Sequence, residues 1–304
     1  IKLSAETKAK VLEAAKKLGY RPNTAAKALK TKTSYTIGII SENVATSPFA
    51  GDIIKGAQDE ARQNDRTLVV MDSGGDSGDT ISALEFMLDK QVEGIVFASM
   101  YSREVDLPKL FQSIPTVMVN CFCPDSSYPS VIPDDHWGGY FVTKTFVEKK
   151  HRRIALINGG KSFFASKERL KGYQKAIEEG GLKYDPGLIS YGSWWPENGY
   201  ESIFRLMDLS DPPTAVFCGN DRIAIGAMMA VKELGLHMPN DIALIGYDGQ
   251  EIVSHLTPSL TTFTLPHYQM GVWGVETLMK LNRPLTATTS ITQLKGNLIQ
   301  GASS

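Results

Sequence analysis

At 304 residues the chain is longer than one hydrophobic core usually serves, so two domains are expected. A composition of 42% hydrophobic and 21% charged residues is that of a folded globular protein and excludes a disordered or fibrous one. No apolar run approaches the ~20 residues of a membrane span, so a membrane is not an expected partner. The net charge of −1 conceals an uneven split: residues 1–34 carry nine basic side chains against two acidic, the remainder 23 against 31. Such a head either meets a polyanion or is a solvated helix face.

The chain opens "IKLSAETKAK", without Met and without the apolar stretch of a secretion signal. A fragment lacking its natural N-terminus is the expectation, though a trimmed secreted precursor would look the same. The spacing of Val11, Leu12, Ala15 and Leu18 predicts a helix over 4–18, with Ser4 as N-cap and Gly19 and Pro22 ending it. The next segment, "NTAAKALK" (23–30), has no apolar face worth burying and is too short to be a stable helix alone in water. From "YTIGII" onward strands and helices alternate. The strands "YTIGII", "TLVVMD", "GIVFAS", "PTVMVN" and "SVIP" are followed by "RIALING", "LISYG", "AVFCGN" and "ALIGYD". Most are apolar throughout, as strands buried on both faces are. Helical stretches are expected at 51–65, 79–91, 137–150, 168–180, 196–208, 221–235 and 268–281. This βαβ rhythm predicts an α/β fold of two parallel-sheet units with a change-over near Lys150.

Ligands of open parallel sheets bind at the carboxyl ends of the strands. Asn120, Asp134, Asp135, Asn220, Asp221 and Asp248 gather at those ends. They are either caps of the following helices or the lining of a polar ligand site. The three cysteines, Cys121, Cys123 and Cys218, form neither a disulfide framework nor a metal-ligand set, and no metal or other cofactor is expected. Enzymatic motifs fail in detail. "ALINGGKS" lacks the first glycine of a phosphate loop, having Ala155 there. "GDSGD" ends in Asp79 where a serine-protease loop has glycine, and no G-x-S-x-G or G-x-G-x-x-G is placed to act. The adjacent Asp134, Asp135 and His136 do not converge on one atom as catalytic partners must. No catalytic constellation is present, and an enzyme is the weakest of three readings.

Residues 4–40 resemble the end of the DNA-binding headpiece and the hinge of LacI/GalR-type transcriptional regulators. So, in the same order, do "DHWGGYFVTKTFVEKKHRRIALING", "ERLKGYQKAIEEGGL", "FCGNDRIAIGAMMAVKELGLHMPNDIALIGYDG" and "LTPSLTTFTLPHYQMG". The resemblance covers nearly the whole chain; the helix-turn-helix of the family lies ahead of it. It implies a periplasmic-binding-protein-like core of two Rossmann-like subdomains. On this reading 1–34 is the remnant of headpiece and hinge helix, 35–149 with 267–288 the first subdomain, and 150–266 with 289–304 the second.

The implied function is a homodimeric, cytoplasmic DNA-binding repressor of a carbohydrate operon. Its partners are operator DNA and a small neutral sugar between the subdomains. Short loops such as "TSPFAGDI" point to sucrose or another fructoside. A secreted sugar-binding protein of the same core is the alternative, against which the basic head counts. Carried over by position, Arg169 binds sugar hydroxyls through its planar fork. Asn220 and Asp248 hold further hydroxyls, Trp194 stacks on the sugar, and Phe49 belongs to a loop closing over it. Asn120, Asp134 and Asp135 complete the expected polar lining. The three carboxylates Asp134, Asp135 and Asp248 are expected to repel an acidic or phosphorylated sugar. Asp221 is read as a helix cap, and Leu265 stands where the lac-type repressor has an effector-binding glutamine. Arg169→Ala is expected to abolish the effector response without unfolding the core. For DNA, Ser4, Thr7 and Asn23 fall at phosphate-binding positions. Small alanines such as Ala26 let two hinge helices pack in a minor groove, Leu29 is the wedge at a base step, and Lys30 follows it.

Overall fold

A computed structural model describes residues 4–19, 33–45, 51–281 and 291–304. Helix α1 (Ala5–Lys17) starts as expected: the Ser4 hydroxyl accepts from the Thr7 N–H at 3.2 Å and lies 2.9 Å from the Thr7 hydroxyl. Gly19, at φ +62°, lies beyond its end in the left-handed region. Val11 and Leu18, the residues whose spacing predicts this helix, are exposed.

The first sheet is built from β1 (Thr36–Glu42), β2 (Thr67–Asp72), β3 (Ile95–Ser99), β4 (Thr116–Val119) and β5 (Ser130–Pro133). Helices α2 (Gly51–Gln63) and α3 (Ser77–Asp89) lie between these strands in the chain. The second sheet takes β6 (Ile154–Asn158), β7 (Ile189–Tyr191), β8 (Ala215–Cys218), β9 (Ala243–Asp248) and β10 (Thr261–Thr264). It is wound with α4 (Asp135–Glu148), α5 (Phe164–Glu179), α6 (Pro196–Met207) and α7 (Asp221–Glu233). Helix α8 (His267–Lys280), β11 (Ile291–Leu294) and β12 (Leu298–Ile299) complete the described elements. The sheet orders are β11-β5-β4-β3-β1-β2 and β12-β10-β9-β8-β6-β7. All pairings are parallel except β10 with β12. Strands β1, β3, β4, β5, β6 and β8 are buried along nearly their whole length, as their unbroken apolar character predicts.

The change-over between lobes differs from the sequence reading. Val142 and Phe146 of α4 pack with Ile154, Leu156, Tyr173 and Phe217, so this helix covers the second sheet and the chain crosses at Asp134, not near Lys150. Helix α8 returns to the first lobe, where Met270, Val275 and Leu278 meet Ile53 and Ala57 of α2. The second correction concerns 289–304. Strand β11 pairs with β5 of the first sheet, and only β12 joins the second. Strands β10, β11 and β12 escape sequence reading because they are short and partly polar.

One packing detail positions the site. A Cβ on Gly139 of α4 would overlap the backbone of Arg169, and one on Gly172 of α5 the backbone of His136. These two glycines let α4 and α5 meet backbone to backbone, which sets Asp135 at the start of one helix beside Arg169 of the other.

Candidate functional site

Between the lobes lies a cleft at the carboxyl ends of the strands, where open parallel sheets bind ligands. The first lobe lines it with Met100, Tyr101, Ser102, Asn120 and Pro133; the second contributes Asp135, Phe163, Arg169, Trp194, Asn220, Arg222, Asp248 and Gln250. Aromatic side chains meet across it. Tyr101 and Phe163 have ring centroids 5.7 Å apart, Phe122 and Phe164 5.2 Å, and Phe163 continues to Trp194 at 5.7 Å.

At the floor is a buried polar cluster. The Arg169 Nε donates to Asp135 Oδ1 at 2.8 Å, and Nη1 donates to the Gly219 carbonyl. The guanidinium carbon lies 3.8 Å from the centre of the Tyr247 ring, whose hydroxyl donates to the same Asp135 oxygen at 3.2 Å. Burial disfavours the charge of Arg169, but the adjoining Asp135 overrides this and raises its pKa. Two buried polar atoms of residues that line the cleft, Asp135 Oδ2 and Trp194 Nε1, have no hydrogen-bond partner among the described residues. One is an acceptor and one a donor, and a buried polar group left unpaired is costly.

Asp248 ends β9 at φ +112°, a conformation rarely taken by a residue with a side chain. Desolvation pushes its carboxyl well above the ordinary carboxylate range, against the pull of Arg169. Asn120 ends its strand in the left-handed region too, at φ +58°. Its Oδ1 accepts from Ser102 at 2.7 Å, and its Nδ2 donates to the Ser99 and Met100 carbonyls at 3.0 Å. Asn220 caps α7, accepting from the Ile223 N–H at 2.8 Å, and donates to the Trp194 carbonyl at 3.1 Å. Both amides thus shape the wall of the cleft.

Several sequence expectations are corrected here. Asp134 is not in the lining; it caps α4, accepting from the Trp137 N–H at 2.8 Å. Asp221 is not the cap of α7. It is fully buried, accepts from the Thr262 hydroxyl at 2.6 Å and the Gln250 N–H at 2.7 Å, and burial pushes its carboxyl up to about 7. The surplus of negative charge expected in the cleft is absent. Of its two acids, Asp135 is paired with Arg169 and Asp248 is held towards its neutral form by burial, while Arg222 adds a second guanidinium. Asn120, Asp135, Arg169, Trp194, Asn220 and Asp248 are brought together in one lining; Phe49 lies outside the described residues. Sequence reading missed Tyr101, Phe163, Arg222 and Gln250. For Arg222 a signal existed: a cation in the first turn of α7 opposes the helix dipole and asks for a reason.

Two parallel-sheet lobes, three crossings and a cleft at the strand ends define a receptor of the periplasmic-binding-protein type. Residues 34–295 match the family described as periplasmic binding proteins and sugar binding domain of LacI family. The chain is 31% identical over 279 residues to the ribose operon repressor of Haemophilus influenzae, covering 91% of this chain and 83% of that protein. It is 33% identical over 281 residues to the repressor PurR of Pasteurella multocida, covering 91% and 84%. A LacI-family regulator structure from Rhizobium etli superposes with a TM-score of 0.81 at 30% identity, over 89% of this chain and 99% of that one. The structure of the regulator CelR in complex with cellobiose gives 0.74 at 26% identity, over 100% and 92%. The chain belongs to the LacI family of transcriptional regulators. No helix among the described residues is long and apolar enough to cross a membrane.

Proposed function

We propose that the protein is a repressor of a carbohydrate-utilisation operon, acting in the cytoplasm and controlled by a small neutral sugar bound in the inter-lobe cleft. The observation that carries this reading is a buried acceptor and a buried donor on two cleft-lining residues, Asp135 Oδ2 and Trp194 Nε1, without a partner among the described residues. A sugar hydroxyl both donates and accepts, so one polyol satisfies both atoms. Aromatic side chains beside them offer apolar faces to sugar C–H groups. Sucrose or another fructoside is the first candidate. Tryptophan fluorescence should be titrated with sucrose, fructose, raffinose, cellobiose, ribose and a purine base. A response to the purine alone would sink the sugar reading; a response to another sugar alone would sink only the fructoside choice.

DNA enters through the N-terminal segment. Ser4 and Thr7 are exposed at the start of α1, whereas Asn23, Ala26, Leu29 and Lys30 lie outside the described residues. Leu29→Ala should weaken operator binding and leave sugar affinity unchanged, because wedging acts on base stacking alone, worth roughly a few kcal/mol per step. A gel-shift titration with equal operator affinity would remove the wedge. A homodimer is supported by an apolar groove beside α7, lined by Ile225, Met228, Met229 and Leu256, with Met229 exposed at its edge. Sedimentation of Met229→Glu as a monomer would support that pairing.

A further inference from the structure

The two guanidiniums of the cleft are in opposite situations. Arg169 is spent on Asp135, on the Gly219 carbonyl and on the Tyr247 ring. Arg222 lines the same cleft and makes no hydrogen bond or ion pair among the described residues. Its recorded contact is with the ring of Trp195, 4.6 Å from the guanidinium carbon. Nothing in the fold requires it. It sits in the first turn of α7, where the helix dipole disfavours a cation, and the acid before it, Asp221, is turned inward to Thr262 and Gln250. A residue that breaks a local rule without structural gain marks a functional site.

The contact with Trp195 places the guanidinium against the indole face. Trp195 is 57% exposed, unusual for an indole with no other task. A guanidinium stacked on an indole keeps all five N–H donors in its own plane, available as a fork. Across the cleft mouth stands Tyr101 of the first lobe, whose hydroxyl feels both the positive charge of Arg222 and the negative charge of Asp248. The unpartnered Asp135 Oδ2, 1% exposed on the same wall, requires a ligand that donates a hydroxyl.

We propose that Arg222 is a specificity-determining residue of the effector site, taking two adjacent hydroxyls of a neutral sugar in its fork while Trp195 holds its plane. Resting on the sugar reading above, this adds a second recognition point to the Arg169–Asp135 pair. It is also one that a different side chain at 222 would retune.

The test is calorimetric titration of the full chain, Arg222→Gln and Arg222→Lys with sucrose, cellobiose and melibiose, their monodeoxy analogues, and sucrose 6-phosphate. Melting temperature should change little in both variants, since Arg222 makes no hydrogen bond or ion pair among the described residues. Loss of a hydrogen-bonded charge predicts a fall of about ten- to a hundred-fold in affinity for the sugar that binds the unaltered chain. Arg222→Lys should fall less, and the rank order of the three sugars should change. At least one deoxy analogue should lose affinity on the unaltered chain and lose nothing further on Arg222→Gln. Unaltered affinities and rank order in both variants would overturn the role of Arg222 while leaving the sugar reading in place. Binding of none of the sugars by the unaltered chain would overturn the sugar reading itself. Tighter binding of sucrose 6-phosphate than of sucrose, lost in Arg222→Gln, would overturn the diol assignment in favour of an anionic effector.

Discussion

Replacing Arg169 by alanine removes more than a ligand contact. The side chain is buried, and its loss leaves the Asp135 carboxylate, 1% exposed, with only the Tyr247 hydroxyl at 3.2 Å on one oxygen. It also strips the Gly219 carbonyl of its arginine donor and uncovers the face of Tyr247. Breaking a buried pair by deleting one partner costs about 3–5 kcal/mol, because the other charge stays buried. That is a large share of the ~5–15 kcal/mol that holds a domain folded. At about 2–4 °C per kcal/mol for a domain of this size, the melting temperature should drop by roughly 6–20 °C. The expectation that Arg169→Ala leaves the core unharmed is therefore revised. Arg169→Met combined with Asp135→Leu removes both charges and should recover much of the loss while the sugar response stays absent. Differential scanning calorimetry of the three proteins, with sugar titration at a temperature where each is folded by circular dichroism, measures both effects. A single variant melting within about 2 °C of the unaltered chain would refute the burial argument. A double variant with normal sugar affinity would remove the pair from the site.

Trp194→Phe keeps an aromatic ring against Phe163 but deletes the unpaired N–H. Sugar affinity should fall about tenfold with little change in melting, and unchanged affinity would show that this donor meets no ligand. Asp221 has a folded-state pKa raised by burial from 3.8 to about 7, so the folded chain holds a proton that the unfolded chain releases. Its stabilisation is complete below the unfolded value and is lost as pH rises through the folded one, at about tenfold in the folding equilibrium per unit. Asp221→Asn should therefore gain on the unaltered chain between about pH 4 and 7 and level off above; a difference in melting temperature independent of pH counts against this. Gly139→Ala drives a methyl group into the Arg169 backbone. It should cost about 1–3 kcal/mol by overpacking and also weaken sugar binding, since α4 and α5 carry Asp135 and Arg169. Loss of stability with full sugar affinity would show that the helix spacing does not position the pair.

The sequence by itself determined the elements and their type. Unbroken apolar runs such as "GIVFAS" can only be strands covered on both faces, and the alternation with helical periods requires parallel sheets. The strand-end polar residues and the basic N-terminal segment are equally written there. Tertiary structure alone decided which polar groups are spent and which are left for a ligand. Asp134 and Asp135 are neighbours in sequence, yet one caps a helix and the other meets an arginine 34 residues away. Asn220, Asp221 and Arg222 are consecutive and become a cap, a buried acceptor and a cation set over the Trp195 ring. The point at which the chain crosses between lobes was equally hidden. The residues of helix α4 do not say which sheet they cover; its contact through Gly139 with α5 and the packing of Val142 and Phe146 assign it to the second. Local patterns record what a residue can do, whereas its role depends on partners brought from distant parts of the chain, and that pairing exists only once the lobes have packed.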